Sequence, residues 1–162
     1  YLTIFLSIMI KKKFLMVCLG NICRSPLAEG ILSNKFSKLD VYVDSAGTSG
    51  YHIGESPDPR SISIAQKNNI DISSQRARKI SKNDIKKFDL IYAMDKSNYK
   101  SIISLCESEK DKTKIKLILN ESFPGKNLDI PDPYLLDDKG FKEVFDLLNA
   151  ACEIIKDKLV KE

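Results

Sequence analysis

The 162-residue chain has no tryptophan, a single histidine (His52) and only four cysteines. One imidazole leaves little material for a zinc site or a Cys-His dyad. The cysteines, at positions 18, 23, 106 and 152, match neither paired CxxC zinc knuckles nor the even framework of a secreted disulfide scaffold. They fit a reducing compartment, so a cytoplasmic location and no metal are expected. There is no arginine-rich tract and no interleaving of aromatic and basic residues. The net charge of +4 and pI near 8.8 come from lysines spread along the chain, mostly a solvated coat. No nucleic-acid partner is expected, and a mildly basic face for acidic or phosphorylated ligands ranks above a DNA groove. With 43% apolar and 30% charged residues, disorder and fibrous repeats are excluded, and no internal repeat is present. The one long apolar run, Tyr1 to Ile10, is too short to span a bilayer. The lysines that follow it reverse the charge order of a secretory signal. We read residues 1–10 as a non-native or read-through extension with Met9 as the start, 11–162 as one domain, and expect no membrane contact.

What is present is an alternation of two periodicities. Phe14 to Leu19 is a continuous apolar run, as expected of a parallel strand covered on both faces. After Ser25-Pro26, the residues Leu27, Ile31, Leu32 and Phe36 recur at helical spacing, with Ser25 expected as N-cap. Val41 to Val43 reads as a second strand ending in Asp44-Ser45-Ala46-Gly47, and a helix is expected from Asp58-Pro59. A third strand spans Leu90 to Ala93, a helix follows over 96–105, and a fourth strand covers Ile115 to Leu119 after a charged loop, 107–114. A stripe from Phe141 to Leu159 is a final, core-packed helix. Strands alternating with helices predict right-handed crossovers and a four-stranded parallel sheet flanked by helices, a flavodoxin-like three-layer sandwich. In such sheets, ligands bind beyond the carboxyl ends of the strands.

The segment Cys18-Leu19-Gly20-Asn21-Ile22-Cys23-Arg24-Ser25 stands at one such end, between a strand and a helix. Gly20 and Asn21 tolerate left-handed backbone angles, so the loop can curl with its amides turned inward as an anion nest. The helix N-terminus adds positive potential at the same point, and Arg24 offers a planar fork for two phosphate oxygens. Such fields also ionise a cysteine: helix N-termini and arginines depress the thiol pKa from about 8.5 to roughly 3.5–7.5. Phosphate binding and activation of Cys18 therefore have one cause. An aryl phosphate would also need a proton for its leaving oxygen. Asp132 is the candidate, in a loop stiffened by Pro131 and Pro133.

Together with Asp44-Ser45-Ala46-Gly47-Thr48, Asp58-Pro59-Arg60, Met94-Asp95 and Asp132-Pro133-Tyr134, this string resembles the low-molecular-weight protein tyrosine phosphatase family, in order, from about Lys13 to Leu159. The resemblance implies a cysteinyl-phosphate intermediate on Cys18, a phosphate clamp at Arg24, and Asp132 as general acid that later activates water. It implies no cofactor, tyrosine-phosphorylated proteins as partners, and a monomer or weak homodimer. Leu19, Gly20, Asn21, Ile22, Cys23 and Ser25 would bind phosphate or support the loop, Asn21 and Ser45 by cross-linking it and Ser25 by bonding the sulfur. Tyr51 and Tyr134 would line the substrate rim.

Two departures stand out. Gln75 occupies the place of a histidine that buttresses the loop in some relatives, and Leu135 replaces a second tyrosine after Asp132-Pro133. His52 is read as a rim loop residue, Asp58-Arg60 as a helix start with a structural ion pair, and Asp95 as a helix cap. Cys23 is either a reversible disulfide partner of Cys18 or loop packing. Three rival functions share the fold: an arsenate reductase, disfavoured because this chain has no resolving cysteine between Cys23 and Cys106; a protein-arginine phosphatase, disfavoured by Ile22 where those enzymes carry threonine; and an inactive phosphotyrosine-binding module.

Overall fold

The computed structural model describes residues 12–36 and 41–161; the apolar stretch 1–10 lies outside them. In chain order the elements are β1 (Lys12–Cys18), α1 (Arg24–Lys35), β2 (Val41–Gly47), α2 (Pro59–Lys67), α3 (Lys82–Lys87), β3 (Leu90–Ala93), α4 (Lys96–Ile103), α5 (Glu109–Lys112), β4 (Ile115–Leu117), α6 (Leu119–Ser122) and α7 (Asp138–Val160). The four strands form one sheet in the order β2-β1-β3-β4, and every neighbouring pair is parallel. This is the expected α/β sandwich.

The run in β1 is continuous because both faces of the sheet are covered. Phe14, Met16 and Cys18 point into one core with Leu27, Ile31 and Leu32 of α1 and Val144, Leu148 and Ala151 of α7. Leu15 and Val17 point into the other, with Ile85 of α3, Phe88 and Ile102 of α4. Burying each large side chain is worth about 1.5–3 kcal/mol, so these two cores outweigh the weak helix preference of any single segment. β1 sends its crossover through α1 to β2 on one side, while β3 and β4 lie on the other. The carboxyl end of β1 is thus the switch point where such sheets bind ligands.

Several boundaries differ from the sequence reading. Leu19 leaves β1 and is exposed, since the chain turns there into the loop. The fourth strand ends at Leu117, because Ile118 has helical backbone angles and caps α6, and α4 stops at Ile103. The charged loop contains the short helix α5, capped by Ser108 accepting from the Asp111 N–H. The unanticipated α3 is set by a capping box between Ser81 and Asp84. Ser25 is not the N-cap of α1: Cys23 takes that position without a side-chain bond, which frees the Ser25 hydroxyl for the loop.

Gly47, the last residue of β2, sits against that loop. A Cβ there would lie 2.7 Å from the Leu19 carbonyl oxygen and 3.1 Å from the Gly20 carbonyl carbon. Both are backbone atoms, so the clash cannot be relieved by a rotamer change. Gly47→Ala is expected to cost about 1–3 kcal/mol in urea unfolding; a wild-type midpoint would contradict the close approach.

Candidate active site

The loop after β1 is held from outside by its own carbonyl groups. Thr48 N–H donates to Cys18 O at 2.9 Å, Ser49 N–H to Leu19 O at 2.9 Å, and Asp58 N–H to Ile22 O at 2.8 Å. In a planar trans peptide, C=O and the following N–H point in opposite directions. The amides of Leu19, Gly20 and Cys23 are thereby turned away from these anchors, toward the hollow of the loop. Asn21 carries the turn at φ 57°, in the left-handed region that asparagine tolerates. Its own N–H donates to Cys18 Sγ at 3.3 Å.

Cys18 is 3% exposed, and the Ser25 hydroxyl lies 3.0 Å from its sulfur. The thiol pKa values of Cys23, Cys152 and Cys106 are all shifted upward. Burial, reinforced by Asp58, Cys18 and Asp132, pushes Cys23 up to about 12. Burial likewise takes Cys152 to about 12 and raises Cys106.

Arg24, 2% exposed, opens α1 with its guanidinium in the site. Nη1 donates to Asp95 Oδ2 at 2.7 Å and to the Ile130 carbonyl at 3.0 Å. Burial works against its charge, but Cys18, Asp95 and Asp132 more than offset that and raise its pKa. Asp95 also caps α4 by accepting from the Asn98 N–H at 2.7 Å, so the expected cap is real and is only half of what the residue does. Its bond to Arg24 was not foreseen, nor was the Ile130 carbonyl; a pairing of residues 24 and 95 needs the fold to be known.

Behind the loop lies a polar network. Asn21 Nδ2 donates to Ser25 Oγ at 2.8 Å and to Ser45 Oγ at 2.9 Å, and its Oδ1 accepts from the Arg78 N–H at 3.0 Å. Ser45 Oγ in turn donates to Glu29 Oε1 at 3.0 Å. Glu29 was missed in the sequence, although its place four residues after Ser25 puts both on one face of α1. Arg78 Nε donates to Asp44, and its two terminal nitrogens bind Asp84 at 3.0 and 3.1 Å. Gln75 reaches the Pro26 carbonyl at 3.1 Å through Nε2, a contact to the first turn of α1 rather than to the loop itself.

Asp132 stands opposite, half-exposed, with Oδ2 3.7 Å from Arg24 Nη2. Its Oδ1 accepts from the Tyr134 N–H at 3.1 Å, a local turn that fixes the carboxyl's direction. Asp58 and Arg60 form the expected ion pair at 2.9 Å, with Asp58 as N-cap of α2. Arg60 does more than pair, since it donates to the carbonyls of Leu136 and Tyr134 at 2.9 Å each and so tethers the Asp132 segment to α2.

The result is a cleft of about 190 Å³ with Cys18, Arg24 and Asp132 in its lining and Tyr51 and Tyr134 on its walls. Leu19, Gly20, Ile22 and Cys23 line it as well, and so does His52, whose Nδ1 pairs with Glu55. Asn21, Ser25 and Ser45 are buried beneath it. Every residue that the sequence reading assigned to the site is thus in the cleft or directly under it. Among the described residues, no group of three His, Cys, Asp or Glu side chains converges as a metal site, and no helix is long and apolar enough to cross a membrane.

Comparison with known proteins gives the same architecture. The family described as low molecular weight phosphotyrosine protein phosphatase matches residues 13–162. The low molecular weight phosphotyrosine protein phosphatase of Homo sapiens is 40% identical over 152 residues, covering 91% of this chain and 95% of its own. A crystal structure of a protein tyrosine phosphatase from Entamoeba histolytica superposes with a TM-score of 0.87 at 36% identity, over 93% of this chain and 98% of that one. The crystal structure of YfkJ from Bacillus subtilis gives 0.84 at 35%, over 93% and 96%. The chain belongs to the low-molecular-weight phosphotyrosine protein phosphatase family and is an enzyme of that class.

Proposed function

We propose that the chain hydrolyses phosphotyrosine in proteins through a covalent phosphocysteine at Cys18. The observation that carries this reading is the meeting of three chemically distinct groups in one cleft: a buried sulfur within reach of a backbone amide and a hydroxyl, a buried guanidinium, and a carboxyl 3.7 Å from it.

In the first step the Cys18 thiolate attacks phosphorus and the bond from phosphorus to the tyrosine oxygen breaks. Asp132, entering as the acid, gives its proton to the departing phenolate. In the second step a water attacks the phosphocysteine, Asp132 takes the proton from that water, the sulfur–phosphorus bond breaks, and inorganic phosphate leaves with the thiolate restored. Arg24 and the loop amides stabilise the charge on the phosphoryl oxygens through both transition states. Asp95 and Ile130 take up Nη1 of the guanidinium, leaving Nη2 and Nε to meet the phosphoryl oxygens. Ser25 stabilises the sulfur as attacking and leaving group, while Asn21 and Ser45 keep the loop closed. Tyr51 and Tyr134 flank the tyrosine ring, and the depth of the cleft selects the longer aryl ester. This charge compensation makes a metal unnecessary, and thiolate catalysis suits a reducing compartment such as the cytoplasm. Cys152 is buried in one core and Cys106 packs, partly buried, against the other; neither lines the cleft, which disfavours electron relay to arsenate.

Purified, reduced protein is expected to release nitrophenol from p-nitrophenyl phosphate in EDTA and to prefer phosphotyrosine over phosphoarginine and arsenate at fixed pH. Phosphate binding with no turnover would instead support a binding module. Cys18→Ser is expected to abolish turnover. Asp132→Ala should slow phenyl phosphate by about 10²–10⁴-fold and p-nitrophenyl phosphate less, because nitrophenolate leaves without help; equal losses on both would remove Asp132 from the acid role. Arg24→Lys keeps the charge but not the planar fork, and kcat should fall by roughly 10²-fold, against a near-wild-type rate if only charge mattered.

A further inference from the structure

Beneath the loop, Glu29 is a carboxyl that the reaction described above does not use. It lies on α1, faces the sheet, and accepts the Ser45 hydroxyl at 3.0 Å. From there a chain of bonds runs without a gap: Asn21 Nδ2 donates to Ser45 Oγ at 2.9 Å, and the backbone N–H of the same asparagine donates to Cys18 Sγ at 3.3 Å. The Asn21 side chain has no spare donor, since its second N–H goes to Ser25, which itself faces the sulfur. From Glu29 to the sulfur there are two intervening residues, both buried.

The charged neighbours of Glu29 are Asp44 on β2, whose carboxyl raises the Glu29 pKa, and Arg78 from the segment before α3, which lowers it. Arg78 is already shared between Asp44 and Asp84. The adjoining Gln75, which lines the same cavity on the far side of α1, is neutral and spends its Nε2 on the Pro26 carbonyl. Asp71, on the rim of that cavity, is exposed and engaged by Ser73. Two carboxyls thus share one already divided guanidinium, and two neighbouring like charges in a largely buried site do not both ionise readily.

We infer that Glu29 is a positioning residue of this enzyme: as a neutral acid it bonds both Asp44 and Ser45, and through Ser45 and Asn21 it holds the phosphate loop in its anion-binding shape. Burial, with Asp44 adding and Ser45 opposing, pushes the Glu29 carboxyl up to about 8, so the neutral form prevails at pH 7. Loss of the proton sets a carboxylate against Asp44. The repulsion is relieved by moving β2 and α1 apart at Ser45, and that slackens Asn21. The direction follows: the loop binds anions well while Glu29 is protonated and less well as pH rises through about 8.

The inference rests on the phosphatase reading, but it is testable without turnover, by the affinity of the holoprotein for inorganic phosphate in calorimetry across about pH 5 to 9. This readout does not depend on the Asp132 proton transfer. Glu29→Gln reproduces the neutral acid, with an oxygen for Ser45 and an N–H for Asp44. It should match wild type below pH 7 and bind more tightly than wild type above pH 8, by about three- to tenfold, the worth of one hydrogen bond. Glu29→Ala should bind phosphate about three- to tenfold more weakly in the acid range, and Gln should rescue that loss. Should the alanine variant fail to fold, Ser45→Ala cuts the same link and must show weakened binding whose ratio to Glu29→Gln stays constant with pH. A Glu29→Gln profile that superimposes on wild type through pH 9, or Ser45→Ala with wild-type affinity, overturns the inference. Failure of the phosphatase reading would look different: wild type itself would bind no phosphate and release no nitrophenol.

Discussion

The outward anchoring of the loop carbonyls is the constraint from which the site follows. Three amides on the neighbouring segments, Thr48, Ser49 and Asp58, take the carbonyls of Cys18, Leu19 and Ile22. Because each peptide is planar, the next amide is turned the other way. A cup of N–H groups is thus a product of β2 and the start of α2 as much as of the loop sequence. Gly47 is part of the same arrangement, since any side chain there would press on Leu19 and Gly20. The buried guanidinium of Arg24 could not be held without anions around it, and Asp95 and Asp132 provide them from two sides. Of the two, Asp95 is tied down as a helix cap, whereas Asp132 sits half in solvent on a tethered turn. The same pairing logic therefore yields one fixed anion and one that is open to solvent.

Much of this was legible in the sequence. The apolar run of β1, the left-handed preference of Gly20-Asn21 and the helical stripe after Pro26 specify strand, turn and helix from local chemistry, and these place Cys18 and Arg24. Asp132 carried less local signal; its prolines marked a stiff loop, and only the order of motifs tied that loop to the cysteine. Boundaries were harder where tertiary packing overrides local preference, as at Leu119, whose apolar continuation of β4 is the first turn of α6. The capping box that makes α3 was present in Ser81 and Asp84 but lay in a polar stretch with no helical stripe.

What the sequence concealed was pairing at long range. Arg24 with Asp95 and with the Ile130 carbonyl, Arg60 with the carbonyls of the Asp132 segment, and Ser45 with Glu29 are each separated by 16 or more positions. None has a periodicity to betray it. These contacts give direction to groups whose identity the sequence already shows, and they explain how a buried polar network can set the geometry of a loop that is mostly backbone.

The central claim is covalent: the phosphoryl group passes through the sulfur of residue 18. Acid quenching of the Asp132→Ala protein during turnover of an activated aryl phosphate, followed by peptide mass spectrometry, tests it directly. The account predicts the mass of one phosphoryl group on the peptide bearing Cys18, absent when Cys18→Ser is added. A turning-over enzyme that never carries that mass on residue 18, or carries it elsewhere, would contradict it.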